Sequence, residues 1–204
     1  MALAGAICLA VALAICVYGI GASLYGARAG RREFVASGRR AVYALAGTLV
    51  VAMAILQAAF VSSDFSFEVV ATHSSTTTPL FYRLTAVWSS QEGSLLLWVL
   101  LLALWSSAIL FMTRRKLREV APYATAVLLG FGAFFCALLV LLESPFTTLA
   151  APPVEGTGLN PLLRHPSMMI HPPMLYSGYT LFAVPFAFAV GALITRRLDA
   201  EWIR

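Results

Sequence analysis

The chain has 204 residues, of which 60% are hydrophobic and only 11% are charged. Soluble domains carry about 25% charged residues, so this composition excludes an ordinary water-covered globular protein. The formal net charge of +5 could suit nucleic acid, but the basic residues lie between long apolar segments. We therefore predict an integral membrane protein that contacts membrane lipid and binds no nucleic acid.

Five apolar segments follow one another along the chain, and each is long enough to cross a bilayer, which takes about 20 helical residues. The first has no basic start and an unusually long apolar run, so we predict a retained helix rather than a cleaved signal peptide. The predicted fold is all-α: a polytopic helix bundle forming one membrane domain over residues 1–204. The predicted spans are residues 2–25, 41–61, 93–112, 121–142 and 174–195.

The placement of the basic residues predicts the orientation of the bundle. Twelve of the 14 lie on one side, and only Arg83 and Arg164 lie on the other. Because basic connections tend to stay in the cytoplasm, we predict an outer N-terminus and a cytoplasmic C-terminus in a bacterial plasma membrane. The basic segments are 26–40, 113–120 and the tail after residue 195, and the two long outer loops are 62–92 and 143–173.

Each outer loop is 31 residues long, and connections of this length are usually functional or disordered. We therefore expect the chemistry of the protein at its outer, periplasmic face. In the first loop, Phe65, Phe67 and Val69 alternate with polar residues, which predicts a short extended segment. After Pro79 the pattern becomes helical and predicts a short helix lying in the membrane interface. The Pro- and Gly-rich start of the second loop predicts an irregular but ordered segment.

The sequence IHPPMLYSGY places His171 directly before two prolines and the fifth span. Proline is tolerated in the first turn of a helix, and the residue before it is biased toward extended backbone. We therefore expect His171 to be held at the entrance of the helix, where a fixed neutral imidazole could bind haem iron. A histidine that only bonds a loop carbonyl is the commoner role for this residue type. Tyr176 could face a porphyrin or simply pack between helices.

The other candidate ligand-binding residues each have an ordinary alternative. Glu92 and Trp88 open the third span, either as a capping residue and an interface anchor or as part of a polar rim around a ligand. An arginine fork suits a haem propionate, but an ion pair with Glu155 or Asp64 is the simpler expectation for either outer arginine. The arginines are Arg83 and Arg164, and the remaining histidines are His73, a weaker candidate ligand, and His165.

Three segments in order resemble the N-terminal part of the cytochrome c haem lyase family of CcmF and NrfE. They are HSSTTTPLFYRLTAVWSSQEGSLLLW, the LNPLL beginning at Leu159, and IHPPMLYSGY, followed by a RRLDAEW tail. One departure is that Ser89, Ser90 and Gln91 stand where the family often has Gly-Gly-His or Gly-Gly-Gln.

The resemblance implies haem b as cofactor and substrate, with His171 as one axial ligand at the outer face. It also implies a haem chaperone, apocytochrome c, and the thiol-reducing and apocytochrome-holding subunits of a maturation complex as partners. Haem would be attached through its vinyl groups to the thiols of a CxxCH apocytochrome. The family's tryptophan-rich loop and second outer histidine are not among these 204 residues, so we do not expect this chain alone to be an active lyase.

Three other functions are alternatives to haem ligation. Transport or presentation of haem without ligation chemistry fits the same residues. A membrane-anchor subunit of a redox complex would place paired histidines within the spans, and this sequence has none there. A solute transporter would place ionisable residues at mid-membrane, which the predicted spans lack.

Overall fold

The computed structural model describes residues 1–114 and 116–197. This part of the chain is helical without strands, which confirms the predicted all-α class. Five helices are long and apolar enough to cross a membrane, as predicted: α1, α2, α5, α6 and α7. The helices are α1 (Ala2–Arg28), α2 (Arg32–Ser62), α3 (Glu68–His73), α4 (Leu80–Ala86), α5 (Gln91–Met112), α6 (Ala121–Leu141) and α7 (Ser167–Thr195).

The helices α2 and α7 are longer than the predicted spans. Helix α2 begins at Arg32 rather than at residue 41, and α7 begins at Ser167 rather than at residue 174. Hydropathy marks only the part of a helix that lies among acyl chains, and backbone hydrogen bonding continues into the headgroup region. The part of the RRLDAEW tail beyond Arg197, and Arg115 in the second basic segment, lie outside the described residues.

The bundle has two chemically different ends. The loop end carries the long connections, residues 63–90 and 142–166, and the basic end carries the short connections, residues 29–31 and 113–120. Helix α1 packs mainly on α2 and α6, and α5 and α7 pack on each other and on α6. Small residues permit the close α1 crossings, as in many membrane helix pairs: a Cβ on Gly38 would lie 2.1 Å from Ser23 Oγ.

The first outer loop is more helical than predicted. Phe67 makes a single antiparallel bridge with Thr148, but Phe65 lies in a turn and α3 begins at Glu68, so the extended segment predicted from Phe65 to Val69 is wrong except at Phe67. The helix predicted after Pro79 is present as α4. The second loop is irregular apart from this bridge and a single 3-10 turn at Pro161–Leu163, as its Pro and Gly content predicts.

Candidate functional site

His171 lies inside α7, not before it. Helix α7 begins at Ser167, so the expectation of extended backbone at the helix entrance is wrong. The His171 side chain is exposed. It makes no hydrogen bond or ion pair with any described residue, unlike a histidine that bonds a loop carbonyl. Both ring nitrogens are therefore available to a ligand.

Pro172 and Pro173 lie in the second turn of α7, where each removes one helical hydrogen bond. Pro172 cannot donate to the carbonyl of Met168, four residues earlier. The indole Nε1 of Trp88 donates to this carbonyl instead, at 3.2 Å. The side chain of Trp88, just before α5, thus replaces the hydrogen bond that is lost at Pro172. This explains how α7 can continue through the proline.

A chain of hydrogen bonds also links Trp88 to α7 on the C-terminal side of His171. Tyr176 donates its hydroxyl proton to Ser94 Oγ at 3.2 Å. Ser94 in turn donates to the carbonyl of Trp88 at 2.9 Å. The α7 segment from Met168 to Tyr176 is therefore fixed at both ends to the same α5 region, with His171 between the two attachments.

Aromatic rings fill the α5–α7 interface below this segment. Trp98 stacks on Tyr176, with ring centroids 5.5 Å apart and planes at 18°, and on Tyr179 at 6.2 Å. Seven residues further along α5, Trp105 Nε1 donates to Ser177 Oγ at 2.9 Å. Aromatic stacking contributes about 0.5–1.5 kcal/mol beyond area burial. From the sequence, Trp98 is expected only as an interface anchor and Trp105 is not a candidate, although their spacing of seven residues places them on one helix face.

The start of α5 is capped by Ser90, not by Glu92. Ser90 Oγ accepts a hydrogen bond from the Gly93 amide at 3.0 Å, the usual N-cap arrangement. Glycine is required at the third position, because a Cβ there would lie 1.7 Å from the Val87 carbonyl oxygen. Glu92 is half-buried in the first turn, and its carboxylate bonds to no described residue.

Neither outer arginine forms the expected ion pair with Glu155 or Asp64. Arg83 Nε donates to the Thr78 carbonyl at 2.9 Å, and its Nη1 donates to the Val61 carbonyl at 3.0 Å. The second of these bonds satisfies a carbonyl at the C-terminus of α2, where a cation is favoured. Arg164 Nε donates to the Leu159 carbonyl at 3.2 Å, and the rest of its exposed guanidinium bonds to no described residue.

The other two histidines are engaged in local hydrogen bonds. His73 Nδ1 lies 2.9 Å from Thr72 Oγ1 and 3.1 Å from the Val69 carbonyl. His165 Nδ1 accepts from the Ser167 amide at 3.2 Å and so helps to start α7. Within the described ranges no three His, Cys, Asp or Glu side chains are grouped as a metal site.

The two long connections are joined into one layer. Glu68 N donates to the Thr147 carbonyl at 3.0 Å, and Leu149 N donates to the Ser66 carbonyl at 2.9 Å. Further along, Thr157 N donates to the Ala71 carbonyl at 2.8 Å. These backbone bonds connect residues about 80 positions apart in sequence and give the loop end a defined surface.

Glu155 adds a side-chain connection between the same two loops. Its carboxylate accepts hydrogen bonds from the Thr76 hydroxyl and from the Thr76 amide, the latter at 2.8 Å. These bonds favour the charged form and hold the pKa of Glu155 below its ordinary value. This carboxylate is therefore used in loop packing and is charged at neutral pH.

Exposed apolar side chains lie next to His171 along α7 and also on α4, a helix that contacts α7. Ile170 and Met174 on α7 are 63% and 67% exposed, and α4 also presents apolar side chains to the surroundings. Helix α4 contacts α7, and Tyr82 on α4 donates to the Arg164 carbonyl at 3.2 Å. The loop end thus combines an accessible imidazole with apolar surface suited to an amphipathic ligand. The exposed α4 residues are Leu80, Phe81 and Leu84.

Comparison with known proteins identifies related sequences. The sequence model of the family described as cytochrome C assembly protein matches residues 88–203. The cytochrome c-type biogenesis protein CcmF of Haemophilus influenzae is 38% identical over 200 residues, covering 98% of this chain and 30% of that protein. CcmF of Escherichia coli is 38% identical over 203 residues, covering 98% and 31% respectively. NrfE of Haemophilus influenzae is 39% identical over 154 residues.

A solved structure described as the cytochrome c haem lyase CcmF has the same architecture. It superposes with a TM-score of 0.83 at 33% sequence identity, covering 99% of this chain and 32% of that protein. The chain therefore spans about a third of the length of the relatives that it matches.

Proposed function

Because the chain belongs to the cytochrome C assembly protein family, we propose that it acts in cytochrome c-type biogenesis as a haem-binding membrane unit. In this proposal the imidazole of His171 is an axial ligand of the haem iron at the loop end. The observation that carries it is that His171 is exposed and has no hydrogen-bond partner among the described residues, while the α7 segment around it is fixed at both ends.

The fixed segment matters because ligation is more favourable when the ligand does not have to be ordered on binding. The bond from Trp88 to the Met168 carbonyl restrains the segment before His171, and the bond from Tyr176 to Ser94 restrains the segment after it. We assign Trp88 and Tyr176 the role of positioning residues. Their polar atoms bond to protein groups, so they orient the histidine rather than bind the porphyrin substituents.

The surroundings of His171 fit a porphyrin, which has an apolar ring and two carboxylates. Ile170 and Met174 provide exposed apolar surface on the same helix. The free part of the Arg164 guanidinium is the better candidate for a propionate, because Arg83 already bonds three loop and helix-end oxygens. Glu92, whose carboxylate has no partner among the described residues, would repel a propionate and suits a basic partner instead.

We propose that the loop end faces the periplasm of a bacterial plasma membrane and receives its partners there. Those partners are a haem chaperone, the apocytochrome c and the subunits that hold and reduce its cysteines. In the complete assembly each thiol would add across a haem vinyl group, forming a carbon–sulfur bond while the proton goes to the other vinyl carbon. The contribution of this chain is to hold the haem by one ligand; the chemistry of bond formation is assigned to the assembly.

The test replaces His171 in the assembly within cells whose cytochrome c maturation depends on this protein. His171→Ala should lose the loop-end haem spectrum and thioether product while inserting normally, because iron without one nitrogen ligand binds more weakly. Added imidazole should partly restore haem binding. His165→Ala is the matched control, since that ring is also exposed but bonds the start of α7.

The outcomes separate ligation from other roles. A wild-type haem spectrum in His171→Ala would reject the ligand assignment and make His73 the next candidate. Haem binding that is lost with His171, in an assembly that gives no thioether product with reduced apocytochrome, would indicate haem presentation without ligation chemistry.

A further inference from the structure

A cavity of about 830 Å³ lies at the basic end of the bundle, opposite the candidate haem site. It is open to the surroundings and is lined by the α1–α2 connection, the α5–α6 connection and the last turn of α7. Ligand cavities in proteins usually measure about 300–1,000 Å³, so this one is large enough for a bound molecule. Six basic side chains line it among the described residues: Arg31, Arg32, Arg39, Arg114, Lys116 and Arg118.

Among the described residues, the cavity contains more positive charge than nearby carboxylates neutralise. Its carboxylate, Glu119, pairs with Arg197 at 3.4 Å. Arg31 pairs with Glu33 at 3.6 Å. Arg114 packs its guanidinium 4.1 Å from the centre of the Phe111 ring. Four basic side chains remain with no hydrogen bond or ion pair to the part of the chain that is described: Arg32, Arg39, Lys116 and Arg118.

Two helix N-termini add to this positive potential. Helix α2 starts at Arg32 and α6 starts at Ala121, and both starting turns line the cavity. Neither has a side-chain cap, but in α6 the Ala121 and Tyr123 amides donate to the Leu117 and Val120 carbonyls, and Pro122 has no N–H. The dipoles of both helices favour an anion at these positions, and the first amides of α2 have no side-chain cap.

The lining also has an apolar side, which distinguishes an amphipathic anion from a soluble one. Val35, Ala36 and Leu110 line the same cavity as the basic residues. All three belong to helices long enough to span the membrane, close to the ends of those helices. In a membrane crossed by these helices, the cavity would lie at the level where phospholipid headgroups meet acyl chains. Basic pockets between helices at this level are typical headgroup sites.

We propose that this cavity binds the phosphate group of an anionic phospholipid, with Arg39 and Arg118 as principal contacts and the apolar wall against the glycerol and upper acyl chains. The site is separate from the loop end and does not depend on the haem proposal. Its ligand class is a phosphate ester, and a membrane lipid is the source that the apolar wall favours.

The test measures lipid retention by the purified chain with native mass spectrometry, using phosphatidylcholine, phosphatidylglycerol and cardiolipin. The wild-type chain should retain phosphatidylglycerol or cardiolipin over phosphatidylcholine. Arg39→Gln combined with Arg118→Gln should weaken this retention about 30-fold, the loss that corresponds to two basic contacts. Arg28→Gln combined with Arg40→Gln removes the same charge from exposed positions that do not line the cavity, and should stay close to wild type.

Lipid retention by charge-conserving variants and lipid crosslinking to the wild-type chain test the same site. Arg39→Lys with Arg118→Lys keeps the charge and should recover most of the retention. If a glutamine pair does not fold, photoreactive phosphatidylglycerol on the wild-type chain should crosslink to residues 26–39 and 113–125.

If the Arg39/Arg118 pair and the Arg28/Arg40 pair of glutamine variants lost lipid retention equally, the site would be rejected. Equal losses would show that only the general surface potential attracts the lipid. Crosslinks confined to the loop end would also overturn it. Displacement of the lipid by millimolar inorganic phosphate, without preference among lipids, would reject a membrane lipid and identify a soluble phosphate compound as the ligand.

Discussion

The indole nitrogen of Trp88 donates to the backbone carbonyl of Met168, the carbonyl that Pro172 leaves without its helical partner. One side chain from the start of α5 therefore compensates a proline in α7, 84 positions along the chain. This contact ties the segment that carries His171 to the neighbouring helix.

Trp88→Phe should destabilise the chain by about 1–3 kcal/mol, because it leaves the Met168 carbonyl without a donor. Pro172→Ala supplies a backbone N–H for the same carbonyl, so the loss should be much smaller in the double variant. Thermal unfolding of the wild type, the two single variants and the double variant in one detergent gives the coupling free energy between Trp88 and Pro172.

Trp105→Phe is the control for this cycle, since it also loses one indole hydrogen bond, to Ser177, but has no proline partner. Its effect should add to that of Pro172→Ala. If the Trp88 and Pro172 effects were also additive, the compensation would be rejected.

Arg83→Gln should loosen the first outer connection. The guanidinium donates to the Val61 carbonyl and to Ser63 Oγ at the end of α2, and such charged bonds contribute about 1.5–3 kcal/mol each when buried, less at partly exposed positions. Limited proteolysis should cut residues 63–90 faster than in wild type. Arg164→Gln, which loses one bond to Leu159, should leave that connection resistant.

This comparison also separates the two roles considered for the arginines. Weaker haem binding in Arg164→Gln with unchanged proteolysis is the expected result for a propionate contact. Weaker haem binding in Arg83→Gln without faster proteolysis would contradict the structural role assigned to Arg83.

The connection between the two outer loops should depend on pH through Glu155. The pKa of this carboxyl is lowered in the folded chain by its bonds from Thr76, relative to an ordinary value of 4.5. Its contribution is therefore present above that ordinary value and is lost as the pH falls through the lower folded pKa. Spin labels at Thr77→Cys and Val154→Cys should give a narrow distance distribution at pH 7 that broadens under acid.

Glu155→Gln tests whether this carboxylate is the titrating group. The variant should show a broader distribution at neutral pH and little change on acidification. A wild-type pH response in Glu155→Gln would assign the transition to another group.

The orientation predicted from the basic residues has a direct labelling test. Val154 is 98% exposed on the second outer loop, and Ala29 is exposed in the α1–α2 connection. In intact cells, a membrane-impermeant maleimide should label Val154→Cys and should reach Ala29→Cys only after permeabilisation. The reverse pattern would place the basic end outside and contradict the positive-inside prediction.

Hydropathy and charge predicted the number of spans, because both properties are local and large along this chain. The start of α7 was not predictable in this way. Two consecutive prolines normally argue for a helix start, and only the distant Trp88 shows why the helix begins at Ser167. The Arg83 contacts were missed for a similar reason, since an ion pair is the expected partner of an arginine and a free helix-end carbonyl is not visible in the sequence.

Of the candidate site, the sequence identified His171 but not what holds it. Ser94 and Trp98 resemble ordinary residues of an apolar helix, and their role depends on the rotation of α5 relative to α7. That rotation follows from packing across the whole interface rather than from a local pattern.

The backbone pairing of Ser66 with Leu149 has a consequence for biosynthesis. The first connection is synthesised before α6. Its hydrogen-bonding groups that pair with the second connection therefore stay unpaired until the fourth span has been inserted. A chain stalled after α5 would expose the Ser66 carbonyl and the Thr76 hydroxyl to quality-control proteases and chaperones. Completion of the loop-end surface is thus timed by the insertion of a helix that carries none of the candidate ligands.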